Sequence, residues 1–292
     1  MAAFEHQYAD INGQKLHYVK VGSGKQAILF LHGFPEFWYA WKNQLAEFGK
    51  SRTAVAYDQR GYNLSSKPQS VADYAVPHIV ADIRAMFETF GATPANKGIL
   101  VAHDWGGVAA WVFAIRYPEY LDRLVIINSP HPAVFARELQ MNPAQQAASA
   151  YMNFFRSPQA ETGLSANNYA QLQRAVFSGT ARPELFSDED RRIYLDAWSQ
   201  PGALTGGLNW YRAVPDRETN MAAAAGAGSF NVNVPTLVIW GERDTALLTG
   251  NLEGLENFVP QLAIKRIPDG THWVVHEEPD LVNQYIHEFI DQ

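Results

Sequence analysis

Along the first third of the chain, short apolar runs alternate with stretches whose apolar residues recur at helical spacing. Gln14–Val21 alternates apolar and polar residues, and a Gly-Ser-Gly turn then leads into Ala27–Leu31, which is apolar throughout. Thr53–Tyr57, residues 99–102 and residues 124–128 repeat that short, apolar character, each ended by polar residues or glycine. Runs apolar on both faces predict buried strands of a mainly parallel sheet, with helices covering either side. Helices are predicted over 38–48, 78–90 and 106–117, the last stopped by Pro118. From about residue 133 to 214 the β-rich runs disappear, and helical patterns rich in Ala, Gln, Leu and aromatics take over. Strand patterning returns at 236–240 and Leu262–Ile267, and Pro279–Ile290 closes the chain as an amphipathic helix. The pattern predicts a split α/β core, residues 1–132 and 221–292, with an all-helical cap over 133–220 inserted between two strands. The Ala/Gly-rich stretch 221–229 lies where a linker would fall.

Composition narrows the partners more than the fold. Hydrophobic residues make up 47% of the 292, enough for a large core. The net charge of -7, with signs interspersed, argues against nucleic acid, which needs clustered Lys and Arg. The absence of cysteine excludes disulfides, thiolate metal sites and cysteine nucleophiles. The N-terminus lacks the basic start and apolar run of a signal peptide, and no apolar stretch reaches the roughly 20 residues of a membrane span. A cytoplasmic monomer or homodimer with no membrane partner is the expectation. Asn63-Leu64-Ser65 matches a glycosylation sequon, read as coincidence.

The chemistry concentrates at strand ends. Val101-Ala102-His103-Asp104-Trp105-Gly106-Gly107 has the form of a nucleophile elbow: a buried strand, a small residue two before the key position, a glycine two after, then a helix. An Asp before a helix also serves commonly as an N-cap, so this segment alone does not decide. Leu31-His32-Gly33-Phe34-Pro35 follows an earlier strand, where this type of site draws a second oxyanion donor. Asp244 follows a later strand and His272 the last one; each alone could be an ordinary turn or surface residue, but together they give the order nucleophile, acid, histidine. His272 and His276 have the spacing of a helical metal pair, yet nothing else resembling a metal motif accompanies them, and neither metal nor cofactor is expected.

HGFPEFWYAW, DQRGYNLSSKP, AHDWGG, WGERD and GTHW, in this order, resemble the α/β-hydrolases of the soluble epoxide hydrolase family, from about Ile11 to Ile290. Asp rather than Ser at the elbow confines the resemblance to epoxide hydrolases and the haloalkane and haloacid dehalogenases. The residue type has a chemical reason. A carboxylate is anionic at neutral pH and can displace a leaving group from a saturated carbon, leaving an ester that water can cleave; a serine would leave an inert ether. The resemblance implies Asp104 as nucleophile, His272 as base oriented by Asp244, and the backbone N–H groups of Phe34 and Trp105 as oxyanion donors. It also carries two ring-opening tyrosines onto Tyr151 and Tyr211, in SAYMNFF and LNWYR, although Arg156 stands where the family often has Gln. Cap tyrosines also commonly pack with the hydroxyl at a rim.

Trp38, Met152 and Phe155 are candidates for an apolar substrate pocket, or simply core. His32 and Arg60 read as loop-organising residues and His103 as packed behind the elbow. Asn63 stands where relatives often have Gly, and Asn tolerates left-handed backbone. The leading expectation is hydrolysis of an apolar epoxide to a vicinal diol. Fluoroacetate dehalogenases place arginines where this chain has Trp105 and Val108, which disfavours haloacids. The alternatives are a haloalkane dehalogenase, with Trp105 donating to halide, and a hydrolase-fold small-molecule receptor without turnover.

Overall fold

The computed structural model describes residues 4–214 and 230–292. Among the described residues, β1 (Glu5–Ile11), β2 (Gln14–Val21), β3 (Ala27–Leu31), β4 (Thr53–Tyr57), β5 (Gly98–His103), β6 (Leu121–Ile127), β7 (Thr236–Gly241) and β8 (Leu262–Ile267) form one sheet. Their order is β1-β2-β4-β3-β5-β6-β7-β8. β2 pairs antiparallel with β1 and β4, and the other neighbours are parallel. β3 and β5 are buried at every position, as strands sandwiched between two helical layers must be.

Two local differences from the sequence pattern have simple causes. β1 pairs with β2 through Asn12-Gly13, both at positive φ (50° and 76°), the backbone of a tight hairpin. The alternation in β2 does not become alternating burial, because His17 is buried with its Nδ1 hydrogen-bonded to Asp58 Oδ2 at 2.7 Å. A polar side chain is tolerated inside once it is paired.

The covering helices of the core are α1 (Lys42–Phe48), entered through a 3-10 turn at Trp38–Trp41, α2 (Val76–Thr89) and α3 (Asp104–Arg116). Between β6 and β7 the described chain is helical: α4 (Pro132–Met141), α5 (Pro143–Ala148), α6 (Tyr151–Arg156), α7 (Ala160–Gln173), α8 (Asp188–Ser199) and α9 (Ala203–Arg212). α10 (Val274–Glu277) and α11 (Pro279–Ile290) end the chain. The helical segment is tied to the core by buried indoles, with Trp198 Nε1 donating to the Pro35 carbonyl at 2.6 Å and Trp210 Nε1 to that of Arg60 at 3.0 Å. The expected boundary at 220/221 and the stretch 221–229 lie outside the described residues.

Topology fixes where a site can form. β3 lies between β4 and β5, so the loops leaving β3 and β5 diverge to opposite sides and open a crevice at the carboxyl edge of the sheet. The registers Leu31↔Ala102, His103↔Ile127 and Gly241↔Ile267 bring these strand ends close to level. The loops carrying Phe34, Asp104, Asn128, Asp244 and His272 therefore all emerge along this edge.

Candidate active site

Asp104 sits where β5 turns into α3, with φ +51°, a left-handed backbone that a non-glycine residue rarely adopts. Ser129 Oγ donates to its carbonyl at 2.6 Å, and the Phe34 N–H donates to its Oδ1 at 2.7 Å. Both neighbouring loops must approach very closely. A Cβ on Gly33 would lie 2.2 Å from Asp104 Oδ1, and one on Gly106 would lie 2.5 Å from the Leu31 and His32 carbonyl oxygens. These two glycines are thus required by contact. Trp105, the next residue, places its amide in the first turn of α3, where helical N–H groups lack internal partners.

Facing Asp104 is His272, in the loop after β8. Its Nε2 lies 3.6 Å from Asp104 Oδ2, and its Nδ1 is 2.7 Å from Asp244 Oδ2. Asp244 is buried, and its remaining acceptor sites are filled: Oδ1 by the Ala246 and Leu247 N–H groups at 2.8 and 2.9 Å, Oδ2 also by Asn128 Nδ2 at 2.8 Å. Burial alone would push the Asp244 carboxyl up, but the charge and hydrogen bond of His272 and these other donors outweigh it and hold it below its usual value. Burial likewise would lower His272, yet Asp244, then Asp104 and Glu36, bring it up to about 9. The imidazole is thus a cation at neutral pH while Asp104 is charged.

A cavity of about 470 Å³ opens over Asp104, within the range that holds a small organic ligand. Tyr151, from the start of α6, and Tyr211, from the end of α9, both line it. Their ring centroids are 6.4 Å apart, and Trp105 and Phe155 pack on Tyr211 at 4.9 and 5.0 Å. Burial first, and the Asp104 charge with it, push both phenols up, so both remain protonated donors.

Of the expected pocket residues, Met152 lines this cavity. Phe155 does not; it stands behind the tyrosines, its ring 5.1 Å from Tyr151, 5.0 Å from Tyr211 and 5.2 Å from Phe34. Trp38 is a correction. Its indole packs edge-on to Phe4 and His6 at 5.3 and 5.2 Å, because the 3-10 turn directs it toward β1 rather than toward Asp104. Asn63 adopts φ +38°, its side chain donating to Asp58 at 2.8 Å.

The structure also gathers residues that the sequence did not single out, among them Asn128, Glu36 and Glu277, around His103 and His276. Asn128, at the end of β6, bridges β7 and Asp244: its Oδ1 accepts from the Gly241 N–H at 2.8 Å. Glu36, buried behind His272, accepts from His276 Nε2 at 2.5 Å and from the Tyr194 hydroxyl at 2.8 Å, and its Oε2 is 3.4 Å from His103 Nδ1. His103 Nε2 in turn donates to the His272 carbonyl at 2.8 Å. Burial would raise Glu36, but His276 and His103 hold it well below the usual carboxylate range. Glu277 fastens the same loop, accepting from the Thr271 N–H at 2.7 Å, while Thr180 from the helical segment donates to it at 2.7 Å. Glu36 does follow a strand within HGFPE, but nothing local ties it to histidines far along the chain.

Residues 26–279 match the α/β hydrolase fold family. An AB hydrolase superfamily protein of Bacillus subtilis, YfhM, is 39% identical over 97% of both chains. Epoxide hydrolase 1 of Caenorhabditis elegans is 36% identical over the whole of this chain and 72% of its own. The crystal structure of an epoxide hydrolase from Bacillus megaterium in complex with an inhibitor superposes with a TM-score of 0.90 at 35% identity, covering 98% of this chain and 100% of that one. No described helix is long and apolar enough to cross a membrane. Fold, match and relatives agree: the chain belongs to the α/β-hydrolase fold family, on its epoxide hydrolase branch, and is an enzyme.

Proposed function

We propose that the protein hydrolyses epoxides to vicinal diols through an ester on Asp104, with residues 133–220 acting as the cap that closes the site. The observation that carries this reading is the placement of Asp104 between two kinds of partner. The Phe34 N–H fixes Oδ1, His272 faces Oδ2 at 3.6 Å, and two phenols line the same cavity.

In the first step a carboxylate oxygen of Asp104 attacks a ring carbon and the ring C–O bond breaks. The departing oxygen takes a proton from the Tyr151/Tyr211 pair, leaving a phenolate. In the second, His272 removes a proton from water, and the hydroxide adds to the carbonyl carbon of the ester. The resulting oxyanion is held by the Phe34 and Trp105 amides. The acyl–oxygen bond then breaks, the diol leaves with the acid proton, and Asp104 returns as a carboxylate carrying one oxygen from water. Between the two steps the proton of the resting His272 cation restores the phenol through solvent, which frees the imidazole to act as base, and the proton it then takes from water returns His272 to the cation.

The charge state of His272 fits this sequence. With Asp104 ionised the imidazole is held cationic; once Asp104 is a neutral ester, that support is removed and the ring can accept a proton. The Trp105 indole packs on Tyr211, which favours the alkoxide-donor role of the tyrosines over a halide site. The test is a single turnover in heavy-oxygen water with enzyme in excess. The ester route requires the first diol to form unlabelled and the label to enter Asp104. Immediate labelling of the diol would mean direct attack by water.

A further inference from the structure

Gln145, in α5, is fully buried and does not line the cavity over Asp104. Its helix starts at Asn142, whose Oδ1 accepts from the Ala144 N–H at 3.0 Å, with Pro143 in the first turn. The Gln145 side-chain amide crosses from there to the core loop after β7. Nε2 donates to the Ala246 carbonyl at 2.8 Å and to Ser149 Oγ at 2.9 Å. Oε1 accepts from the Leu248 N–H at 2.9 Å and from Asn251 Nδ2 at 2.8 Å. The two backbone partners fix which end is nitrogen, since an N–H only donates and a carbonyl only accepts. All four positions of the amide are filled, which holds it in one orientation.

The partners give this amide its meaning. Ala246 and Leu247 donate their N–H groups to Asp244 Oδ1, so one short turn is gripped by the acid on one side and by Gln145 on the other. Ser149, at the other end, opens the turn that starts α6: its carbonyl accepts from the Met152 N–H at 3.1 Å, with Tyr151 between them. Trp198 and Trp210 tie down α8 and α9, whereas Gln145 supplies a tie beside the start of α6. Arg137, from α4, also reaches this loop, but its hydrogen bonds go farther along it, to the Gly250 and Glu253 carbonyls at 2.9 and 2.7 Å. We propose that Gln145 is a positioning residue that locks the Asp244 turn to the start of the Tyr151 helix. One buried amide then sets both the proton donor of the first step and, through Asp244, the base of the second. The inference rests on the ester route proposed above and adds a residue that touches none of the reacting atoms.

The test uses the full-length protein and three variants. Gln145→Met keeps the length of the side chain and removes its polar groups, Gln145→Asn keeps the amide one methylene shorter, and Arg137→Met cuts the outer crossing alone. Rapid-quench single turnovers with styrene oxide follow the ester as mass gained and then lost on the peptide containing Asp104. The His272 titration, read from imidazole ¹⁵N shifts, needs no substrate. In Gln145→Met both ester formation and ester decay should slow about tenfold, since a misplacement of about 1 Å can cost about 10²-fold. The His272 midpoint should fall by about half a unit or more, because burial pulls it down and Asp244, its strongest upward support, is held less firmly. Gln145→Asn should lie between parent and Gln145→Met, and it carries the same comparisons if Gln145→Met does not fold. Arg137→Met should stay close to the parent in every readout. Parent-like rates and midpoint in Gln145→Met, an effect on one phase alone, or equal effects in Arg137→Met would overturn the assignment and leave Gln145 an ordinary seam contact. Should the parent form no ester with styrene oxide, the epoxide reading fails by itself, and an unmoved His272 midpoint in Gln145→Met would still overturn this one.

Discussion

The charge coupling between Asp104 and His272 yields the sharpest prediction, because it separates a base that is switched on by the reaction from one that is always ready. Replacing Asp104 by Asn keeps the shape and the acceptor for the Phe34 N–H but removes the charge 3.6 Å from His272 Nε2. Two unit charges at that distance interact by about 5 kcal/mol at an effective dielectric of about 20. At 1.36 kcal/mol per pH unit this caps the effect at roughly three units. Delocalised charge and water in the cavity reduce it, so a fall of about one to two units from about 9 is expected. Asp244→Asn should cause a larger fall, since Asp244 supplies the strongest upward pull through its charge and its 2.7 Å hydrogen bond. Imidazole ¹⁵N shifts followed against pH report both values, with the resonance assigned by its loss in His272→Gln. By linkage, the raised value stabilises the fold fully below about pH 6.5, and this is lost as pH rises through about 9. Asp104→Asn should flatten the upper part of that slope. A His272 that titrates unchanged in Asp104→Asn would mean the two groups do not feel each other, and the account of how the base is released would fail.

Other consequences are as direct. Tyr151→Phe and Tyr211→Phe should each lower kcat for ring opening by about 10²-fold, as loss of one preorganised donor does, and the double variant should abolish it; intact turnover in the double variant would remove the phenols from the reaction. His272→Gln should halt the cycle at the ester, visible as a mass increase equal to one epoxide on the peptide containing Asp104. Gly33→Ala sets a methyl 2.2 Å from Asp104 Oδ1 and should eliminate activity while far-UV circular dichroism remains close to that of the parent. Glu36→Gln should cost roughly 3 kcal/mol in denaturant midpoints, because it leaves buried histidines without their acid. Since Glu36 is held below its usual value, its contribution is present above about pH 4.5 and lost as pH falls through the folded value, so the parent and variant should converge in acid.

What could be read along the chain, and what could not, divides by the range of the interactions. The apolar runs of β3 and β5 declare buried parallel strands because every residue in them packs, and a chain of one chemical character needs no context to be legible. The elbow at Asp104 is legible for a related reason: a left-handed turn between two close elements demands small neighbours, and Gly106 is required by backbone two strands away in the sequence. β1 was legible in principle, since Asn12-Gly13 is the dipeptide that a tight hairpin needs, yet its polar strand carries no apolar signature. Trp38 shows the opposite failure. Its place in an aromatic-rich motif suggested the pocket, but a single 3-10 turn decides which way a side chain points, and no pattern of residue types encodes that angle.

The second layer was beyond reach for a physical reason. Glu36, His103 and His276 act as a unit only because the loop after β3, the end of β5 and α10 converge at one edge of the sheet, and each of them taken singly is an ordinary polar residue. The convergence nevertheless has a function that pairs naturally with the visible site. His272 is held from one side by Asp244 through its ring and from the other by His103 through its backbone carbonyl, so the ring and the loop carrying it are fixed independently. On the proposed ester route, a base that waits as a cation and then takes a proton from water gains from that arrangement, because losing its charge partner at Asp104 changes its proton affinity without freeing it to move. Cutting the rear support with His103→Ala should therefore slow ester hydrolysis, measured as decay of the accumulated ester, while leaving its formation from Asp104 close to the parent rate. Equal slowing of both phases would show that His103 merely supports the fold of the elbow.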